Sequence, residues 1–397
     1  MLLVDSGCSR MSAPVDTMHA IPPLTRTGDA YDVAQPPPPG QPGDLIAATD
    51  PRPASTSLIG AQRSDILYHS INQAGEDTAV SGVVLVPSGP APPQGWPVVS
   101  WAHGTTGVAD ACAPSLTENL FYNEYAQVAR TFLSHGYAVV ATDYVGLATA
   151  GLHGYSLGDE LGNAVVDMVA AARLAVGNLS NRWFGVGHSE GGQAVIFASR
   201  AAKRHPELTL MGTVAIAPSS WFQAALPAIA AGELPADVAY GMYLLAGLSR
   251  LDDSLDPASL VAPSLQSLAV AAIEHDCLPD SLKALATTQP DEVFRIEPTK
   301  LTQLSDVLFR AAEPDQSPSV GPLLVLHGEL DHDIPIQASR DLVETLKSFG
   351  ASVEFREYPG LNHDEVLGPS LCDTLRWMAQ HDGVAVDRCT PEATDLS

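Results

Sequence analysis

A serine in a tight glycine turn is the residue of this chain best placed to do chemistry. Ser189 is the centre of Gly-His-Ser-Glu-Gly at 187–191, a Gly-x-Ser-x-Gly pattern. The apolar stretch 182–186 suits a buried strand, and residues 193–204 combine good helix formers with a basic last turn. The pentapeptide alone is a weak signal, but a strand, a tight turn and a helix together are typical of a nucleophile elbow. We therefore expect Ser189 to be a catalytic nucleophile; the alternative is an ordinary glycine-rich turn.

The acid of such a site follows the serine along the chain and precedes the histidine. Residues 323–326 form an apolar run that predicts a buried strand. Asp331 lies past the carboxyl end of this strand, where functional groups of open α/β sheets collect. Asp333, further from the strand, is the second candidate. We expect Asp331 to be the acid; the alternative is that both carboxylates are solvated loop residues.

The general base is expected after the next strand, which the alternating pattern of residues 352–358 predicts. His363 follows that strand, and the ordinary pKa of histidine lies near working pH, which suits proton transfer in both directions. His327 and His332 are weaker candidates because they flank the acid and would leave no separate base. His363 is therefore the predicted base, and the alternative is a surface histidine.

Stabilisation of a negative oxygen requires two backbone N–H donors. The first would be the N–H of Glu190, directly after the nucleophile. The predicted strand 97–102 is followed by a His-Gly loop, where hydrolases with a nucleophile elbow place the second donor. Thr105 or Thr106 would supply it, and the sequence does not choose between them. The alternative is an ordinary glycine turn.

At this point the chain resembles a known family, the secretory lipases of the α/β-hydrolase fold (the lipase A-like group of fungi and actinobacteria). The resemblance covers roughly residues 60 to 380 and implies esterase or lipase activity, with Ser189, Asp331 and His363 as a triad. The residues that carry it are Ser-Trp-Ala-His-Gly-Thr-Thr-Gly at 100–107, Cys-Ala-Pro-Ser at 112–115, Gly-Tyr-Ala-Val-Val-Ala-Thr-Asp-Tyr at 136–144, Gly-His-Ser-Glu-Gly-Gly-Gln-Ala at 187–194, His-Gly-Glu-Leu-Asp at 327–331 and Asn-His at 362–363.

The elements that must position these residues alternate between strand and helix. This alternation predicts an α/β-hydrolase, with a mostly parallel sheet that helices cover on both faces. The predicted strands before and after the elbow are 66–70, 79–87, 98–101, 138–142 and 212–218, and the predicted helices before it are 126–135 and 161–176.

About a hundred residues after 218 contain helical runs and no strong strand signal. A structureless connection of that length is improbable in a compact domain, so a helical cap inserted over the active site is expected. The predicted division is a proline-rich extension (1–53), a first core segment (54–218), the cap (219–312) and a second core segment (313–397). Cap residues that could line an acyl pocket are Trp221, Phe222, Tyr240, Met242 and Tyr243, although for each one ordinary packing is an alternative.

Composition excludes several classes of function. The net charge of −26 and the pI of about 4.6 argue against binding to nucleic acid or to anionic membranes. No apolar run is long enough for a membrane helix, and no metal-ligand spacing or phosphate-binding loop occurs. We therefore expect no metal and no cofactor. The oligomeric state is left open.

The five cysteines, Cys8, Cys112, Cys277, Cys372 and Cys389, suggest disulfides in an exported protein rather than a metal site. Sequence alone does not choose the pairing. Position favours a local bridge from Cys372 to Cys389 and a bridge from Cys112 to Cys277 that ties cap to core, and the resemblance implies the latter. Cys8 is then free or acylated, although the sequence around it is a weak match to a lipoprotein acylation site. The apolar run at residues 1–4 is too short to be the apolar region of a signal peptide, so we expect that a signal peptide has been removed or is missing from this sequence. Reduced thiols in a cytosolic enzyme are the alternative.

These observations predict a serine carboxylic-ester hydrolase that works through an acyl-enzyme on Ser189. Its partner would be a small-molecule or lipid ester. An acyltransferase or a peptidase could use the same triad, and a non-catalytic binding protein on this fold is a weaker alternative.

Overall fold

The computed structural model describes residues 21–34, 36–233, 238–286, 288, 293–383 and 389. The strands are β1 Arg26–Thr27, β2 Ala30–Tyr31, β3 Leu45–Ala48, β4 Arg52–Pro53, β5 Ala61–Ile71, β6 Asp77–Pro87, β7 Trp96–Ala102, β8 Ala138–Thr142, β9 Leu179–His188, β10 Thr209–Ile216, β11 Leu323–Gly328 and β12 Val353–Tyr358. The α-helices are α1 Asn123–Ser134, α2 Gly158–Ala175, α3 Glu190–Ala201, α4 Phe222–Ala231, α5 Val238–Ser249, α6 Gln266–Glu274, α7 Leu278–Leu285, α8 Pro298–Ala312, α9 Ile336–Ser348 and α10 Leu367–Asp382.

One mixed sheet organises the molecule. Its strands lie in the order β12-β11-β10-β9-β7-β8-β6-β5-β3, and β4 also pairs with β5. The strands from β12 to β8 in this order run parallel to their neighbours, whereas β8, β6, β5 and β3 pair antiparallel. Because the crossovers that join parallel strands place helices against the sheet, the parallel strands are covered and read as almost continuous apolar runs.

Helices cover both faces of this sheet. On one face α2, α3 and α9 pack against strand residues in one buried cluster, which includes Val165, Ile196 and Leu342. On the other face α1 and α10 form a second cluster with Phe132 and Leu371. The predicted α/β-hydrolase architecture, a mostly parallel sheet with helices on both faces, is confirmed.

The sheet begins earlier along the chain than the sequence predicts. Residues 1–53 were expected to lie outside the core as a proline-rich extension, but β3 and β4 both pair antiparallel with β5. The prolines do not prevent this pairing, because edge positions tolerate a residue without an N–H group. The core therefore includes residues on the N-terminal side of position 54, and the rest of the predicted division stays a prediction.

Five α-helices of the described residues, α4 to α8, lie between β10 and β11, and most members of one buried cluster come from this segment. Members of this cluster include Leu226 on α4, Leu245 on α5 and Leu308 on α8, each of which is buried. The segment corresponds to the predicted insertion of residues 219–312. Its helices pack mainly on each other, and α8 also contacts α2 of the core.

Two disulfides lie among the described residues, one between distant segments and one local. Cys112 is bonded to Cys277, at the start of α7, and Cys372 on α10 is bonded to Cys389, with a Cα–Cα distance of 5.4 Å in both. Cys8 lies outside the described residues. Within the described part of the chain, no helix is long and apolar enough to cross a membrane.

Candidate active site

Ser189 lies in a sharp turn between β9 and α3. Its backbone has φ 58° and ψ −122°, a left-handed conformation that a residue with a side chain rarely adopts. The glycines on either side are required by space: a Cβ at Gly187 would overlap the Gly191 carbonyl, and a Cβ at Gly191 would overlap the Ala102 carbonyl. The turn therefore presents Ser189 in a strained position at the carboxyl end of the sheet, as in a nucleophile elbow.

The first turn of α3 and the loop after β7 face this serine. The N–H of Glu190 lies in the first turn of α3, whose leading N–H groups have no acceptor within the helix. Thr105 lines a cavity together with Ser189, whereas Thr106 does not. The Thr106 carbonyl instead accepts a hydrogen bond from the Leu278 N–H at 2.8 Å. Of the two threonines that the sequence offers, Thr105 is thus the one beside the serine.

Buried polar contacts hold the loop after β7 in place. The Gly104 N–H donates to Tyr125 Oη at 3.0 Å, and Thr105 Oγ1 lies 2.9 Å from Tyr155 Oη. A Cβ at Gly104 would lie 3.1 Å from the Ser189 Cβ, so the loop approaches the serine closely. Burial lowers the pKa of His103 to about 4, so this ring is neutral and donates from Nδ1 to the Gly104 carbonyl at 2.7 Å.

Asp331 and His363 form a buried hydrogen-bonded pair. His363 Nδ1 donates to Asp331 Oδ2 at 2.6 Å. The other oxygen, Oδ1, accepts the backbone N–H groups of Asp333 at 3.0 Å and Ile334 at 2.8 Å, which fix the carboxylate plane. Because Nδ1 carries the proton, His363 Nε2 is the nitrogen with a free lone pair. His363 lines the same cavities as Ser189, so the imidazole ring lies beside the serine.

The electrostatics of the pair favour an ionised aspartate. Burial alone would raise the pKa of Asp331, but hydrogen bonds from His327 and His363 outweigh it and hold this pKa well below its usual range. Burial alone would lower the pKa of His363, but the hydrogen bond and charge of Asp331 outweigh it and raise this pKa. The arrangement can therefore stabilise a protonated imidazole that forms during a reaction.

The other predicted candidates lie around this pair in different roles. His327 is buried, and its Nε2 donates to the Ile334 carbonyl at 2.9 Å and lies 3.0 Å from Asp331 Oδ2, which supports the carboxylate. Asp333 is half-buried and lines the cavities beside Ser189. His332 is exposed. Among the described residues, Asp331 is thus the aspartate that holds His363.

Two cavities meet at Ser189 and His363. The first, which we call the α4 cavity, has a volume of about 260 Å³, and its mainly apolar lining includes Phe222 and Ile229 of α4 and Leu244 of α5. The second, which we call the α7 cavity, has a volume of about 370 Å³. Its lining residues are Thr105, Tyr122, Glu124, Tyr125, His188, Ser189, Tyr240, Leu278, Pro279, Leu282, Asp333, His363, Asp364 and Leu367.

Five cap residues were expected at an acyl pocket, and three of them line the α4 cavity. Trp221, Phe222 and Tyr240 line the α4 cavity. Met242 and Tyr243 do not; they are buried in the helical cluster of the insertion, where the Tyr243 hydroxyl donates to Ser281 at 3.0 Å. The reason is helical spacing, because Tyr240 and Leu244 lie one turn apart on the α5 face towards the cavity and the intervening residues face away.

A buried glutamate fixes the start of α4. Glu313, directly after α8, accepts the backbone N–H groups of Trp221 at 3.0 Å and Phe222 at 2.7 Å. Burial raises the pKa of Glu313 to about 7, although these two hydrogen bonds oppose the shift. Trp221 has φ 74°, so the chain enters α4 in a strained turn that this side chain holds.

Sequence reasoning missed the residues behind and beside the nucleophile. His188 is buried, and its Nε2 donates to the His363 carbonyl at 3.0 Å. The Glu190 side chain points away from the cavities and lies 3.2 Å from His153 Nε2. His188 had a signal, because it stands next to the serine, but nothing in the sequence shows that residue 153 reaches the back of the elbow.

One group of side chains at the site has the geometry to hold a metal ion. Ligand atoms of His188, His363 and Asp364 lie within 4.8 Å of one another. His188 Nε2 and His363 Nδ1 already donate hydrogen bonds, so a metal would have to bind His363 Nε2, the nitrogen that is left with a free lone pair. The donor set therefore competes with proton transfer at His363 and fits a metal poorly.

The chain is similar to one family model and to several solved structures. Residues 120–368 match the family model Hydrolase_4, described as serine aminopeptidase, S33. Candida antarctica lipase A in its closed state is similar in structure, with a TM-score of 0.71, 20% identity, and coverage of 88% of this chain and 85% of that one. The rice cell wall degrading esterase LipA from Xanthomonas oryzae has a TM-score of 0.69 and 17% identity, with coverage of 87% of this chain and 97% of that one. A putative hydrolase from Legionella pneumophila has a TM-score of 0.68 and 20% identity, with coverage of 82% of this chain and 91% of that one. At these identities the likeness shows a shared fold, which the resemblance to secretory lipases implied.

Proposed function

The chain belongs to the Hydrolase_4 family of α/β-hydrolases, and from this premise we propose that it is a serine carboxylic-ester hydrolase of the esterase or lipase type. The observation that carries the proposal is the strained Ser189 beside the buried His363–Asp331 pair, in two cavities that meet there. A nucleophile, a base and an acid that orients the base are the groups that acyl transfer requires.

In the proposed first step, His363 Nε2 takes the Ser189 proton as Oγ attacks the ester carbonyl. Asp331 holds the imidazole in the correct tautomer and stabilises its charged form. The alcohol leaves with a proton from His363, and the acyl group stays on Ser189. Water then attacks the acyl-enzyme, with His363 first as base and then as acid, and regenerates the free serine.

The oxyanion of each tetrahedral intermediate would be held by the backbone N–H groups of Glu190 and Thr105. Glu190 is the first residue of α3, so the positive end of the helix dipole would also stabilise the negative oxygen. Thr105 is preferred to Thr106 because it lines the cavity of the serine and its hydroxyl is tied to Tyr155. Loss of one such donor typically costs about 2.7–4 kcal/mol of transition-state stabilisation.

The acyl half of the substrate is assigned to the α4 cavity. Its lining is mainly apolar, and burial of a methylene there contributes about 0.8 kcal/mol. In this proposal residues 219–312 act as a cap, since α4 and α5 supply much of the wall above Ser189. The bond from Cys112 to Cys277 would tie that cap to the core, and two disulfides support an extracellular location.

A peptidase is the second candidate, because the family description names an aminopeptidase. An aminopeptidase must bind the charged amine of the residue whose carbonyl is attacked, so a carboxylate is needed on the acyl side. The lining of the α4 cavity includes the carboxylates of Glu233 and Asp333, but most of its other side chains, such as Phe222 and Ile229, are apolar. A charged amine would be costly against this wall, which favours an alkyl acyl chain.

The test compares esters and amides with matched acyl groups. Nitrophenyl butyrate, nitrophenyl esters of longer fatty acids, butyryl nitroanilide and aminoacyl nitroanilides are assayed with the full chain. The proposal expects kcat/KM for the fatty-acyl esters to exceed every anilide by several orders of magnitude. Efficient cleavage of aminoacyl nitroanilides, with poor turnover of the esters, would instead identify a peptidase.

A further inference from the structure

The α7 cavity is the second cavity that Ser189 lines, and the side chains around it differ in chemistry from those of the α4 cavity. Both cavities contain Ser189, Tyr240, Asp333 and His363, so one ester can extend into both from the reacting carbonyl. If the apolar α4 cavity holds the acyl half, as the proposed function states, the α7 cavity receives the alcohol half. The groups that line it then decide which alcohols the enzyme accepts.

Three carboxylates line the α7 cavity: those of Glu124, Asp333 and Asp364. The described residues of its lining include no lysine or arginine. Burial raises the pKa of Asp364; the charge of His363 opposes this shift, whereas Asp333, Asp331 and Glu124 add to it. The carboxylates therefore repel one another, and a cation placed between them would relieve the repulsion.

A buried nitrogen in the same wall has no hydrogen-bond partner. His188 Nε2 donates to the His363 carbonyl at 3.0 Å, which can only accept, so the second ring nitrogen, Nδ1, presents a lone pair. That Nδ1 is buried and has no partner among the described residues, and His188 is only 2% exposed. Burial, together with the charge of His363, lowers the pKa of His188 to about 3, so the ring stays neutral. His188 Nδ1 can therefore accept a hydrogen bond from an N–H or O–H donor.

Aromatic rings complete the wall. Tyr122, Tyr125 and Tyr240 line the α7 cavity, and the rings of Tyr122 and Tyr125 pack edge to face with centroids 5.1 Å apart. The faces of such rings attract cations, by about 0.5–2 kcal/mol according to exposure. The α7 cavity therefore favours binding of an ammonium group and disfavours binding of an anion, because carboxylates, tyrosine rings and an unpaired acceptor line it.

We propose that the α7 cavity binds the alcohol half of the ester and selects alcohols that carry a protonated amine. The amine would lie between the carboxylates and the tyrosine rings, with an N–H directed at His188 Nδ1. During the reaction the bond between the carbonyl carbon and the alcohol oxygen breaks, that oxygen takes the proton from His363 Nε2, and the amino alcohol leaves with its charge unchanged. This inference rests on the proposed function.

The experiment uses four butyrate esters that share one acyl group. Dimethylbutyl butyrate is neutral, and butyrylcholine has the same shape with a positive charge but no N–H. Dimethylaminoethyl butyrate has both the charge and an N–H at neutral pH, and butyrylglycerol is a neutral polyol. We expect kcat/KM for butyrylcholine to exceed that of the neutral isostere about tenfold, and dimethylaminoethyl butyrate to be better still, by about threefold, from the size of cation–π and partly exposed ion-pair contributions.

Variants separate the cavity from the net charge of the protein. Glu124→Gln with Asp364→Asn should reduce the ratio of kcat/KM for butyrylcholine to kcat/KM for its neutral isostere to about threefold or less. Glu344→Gln removes one charge from the exposed side of α9, outside the cavity lining, and should leave the preference as it is. An equal loss of preference in that control would attribute the effect to overall charge and overturn the inference.

Failure of the inference differs from failure of the proposed function. If the wild-type protein cleaves nitrophenyl butyrate through Ser189 but treats the charged and neutral esters alike, or prefers butyrylglycerol, the cavity does not select amines. If Ser189→Ala keeps the activity on nitrophenyl butyrate, the proposed function fails and the inference fails with it.

Discussion

Replacement of Asp331 by asparagine removes one of two acceptor oxygens that four donors share. Oδ1 accepts from the N–H groups of Asp333 and Ile334, and Oδ2 accepts from His363 at 2.6 Å and lies 3.0 Å from His327 Nε2. An amide has only one oxygen. If that oxygen keeps the two backbone N–H groups, the amide NH₂ faces His363 and His327.

This placement of the amide forces a change of tautomer at His363. Nδ1 must then accept from the NH₂ group, so the proton moves to Nε2, the nitrogen to which the proposed mechanism assigns the role of base. A protonated Nε2 cannot take the proton of Ser189. We expect Asp331→Asn to lower kcat for ester hydrolysis by about 10⁴, the typical size for a triad aspartate changed to asparagine, or about 5 kcal/mol. Unpaired buried donors should also lower the free energy of unfolding, by about 1–3 kcal/mol.

The assay is nitrophenyl butyrate hydrolysis at saturating substrate, with chemical denaturation to show that the variant is folded. Asp333→Asn is the matched control, because its carboxylate lines the cavities but the Asp331 side chain is the one bonded to His363. It should keep kcat within about tenfold. A larger loss in Asp333→Asn than in Asp331→Asn would refute the assignment of the acid and the reasoning from the tautomer.

Three further outcomes follow from the geometry. The kcat/KM for esters should fall as His363 becomes protonated, with a midpoint above the ordinary histidine pKa of 6.5, because Asp331 raises this pKa; a pH profile with a midpoint below 6.5 would contradict the pairing. Ala228→Phe should fill the α4 cavity and shorten the preferred acyl chain, with at least about tenfold loss on long chains, whereas Gln223→Phe on the same helix should not; equal chain-length profiles would remove the acyl assignment. Loss of the bond from Cys112 to Cys277, which spans 165 residues, should lower the free energy of unfolding by up to about 5 kcal/mol in calorimetry or denaturation; a change below the error would mean that it does not restrain the unfolded chain.

The fold could be predicted from the sequence because its signals are local. The strand 138–142 has the predicted bounds, and the strands and helices around Ser189 differ from prediction mainly by a few residues at their ends. The glycines of the elbow predict a tight turn, and in the structure a side chain at either position would overlap neighbouring backbone. The order of serine, acid and histidine along the chain predicts Asp331 and His363 as partners, and the structure brings these two side chains together.

The remainder depends on contacts between segments that are far apart in the chain. The pairing of β3 with β5 was not predicted, because β3 is short and lies in a proline-rich part of the sequence that does not suggest a strand. The α7 cavity combines α1, α7 and the loop that carries Asp364, and no local pattern indicates that these would meet. Likewise the face of α5 towards the serine was not predictable, because the helix is apolar on most of its surface and Met242 and Tyr243 fit a pocket as well as a core.

The most direct test of the central claim is the identity of the residue that carries the acyl group. A nitrophenyl alkylphosphonate, which mimics the tetrahedral intermediate, is incubated with the full chain, and the adduct is located by peptide mass spectrometry. The account predicts one adduct per chain, on Ser189, with loss of ester hydrolysis in proportion, and no labelling of Ser189→Ala. Full inactivation with the adduct on another residue, or ester hydrolysis that persists in Ser189→Ala, would contradict it.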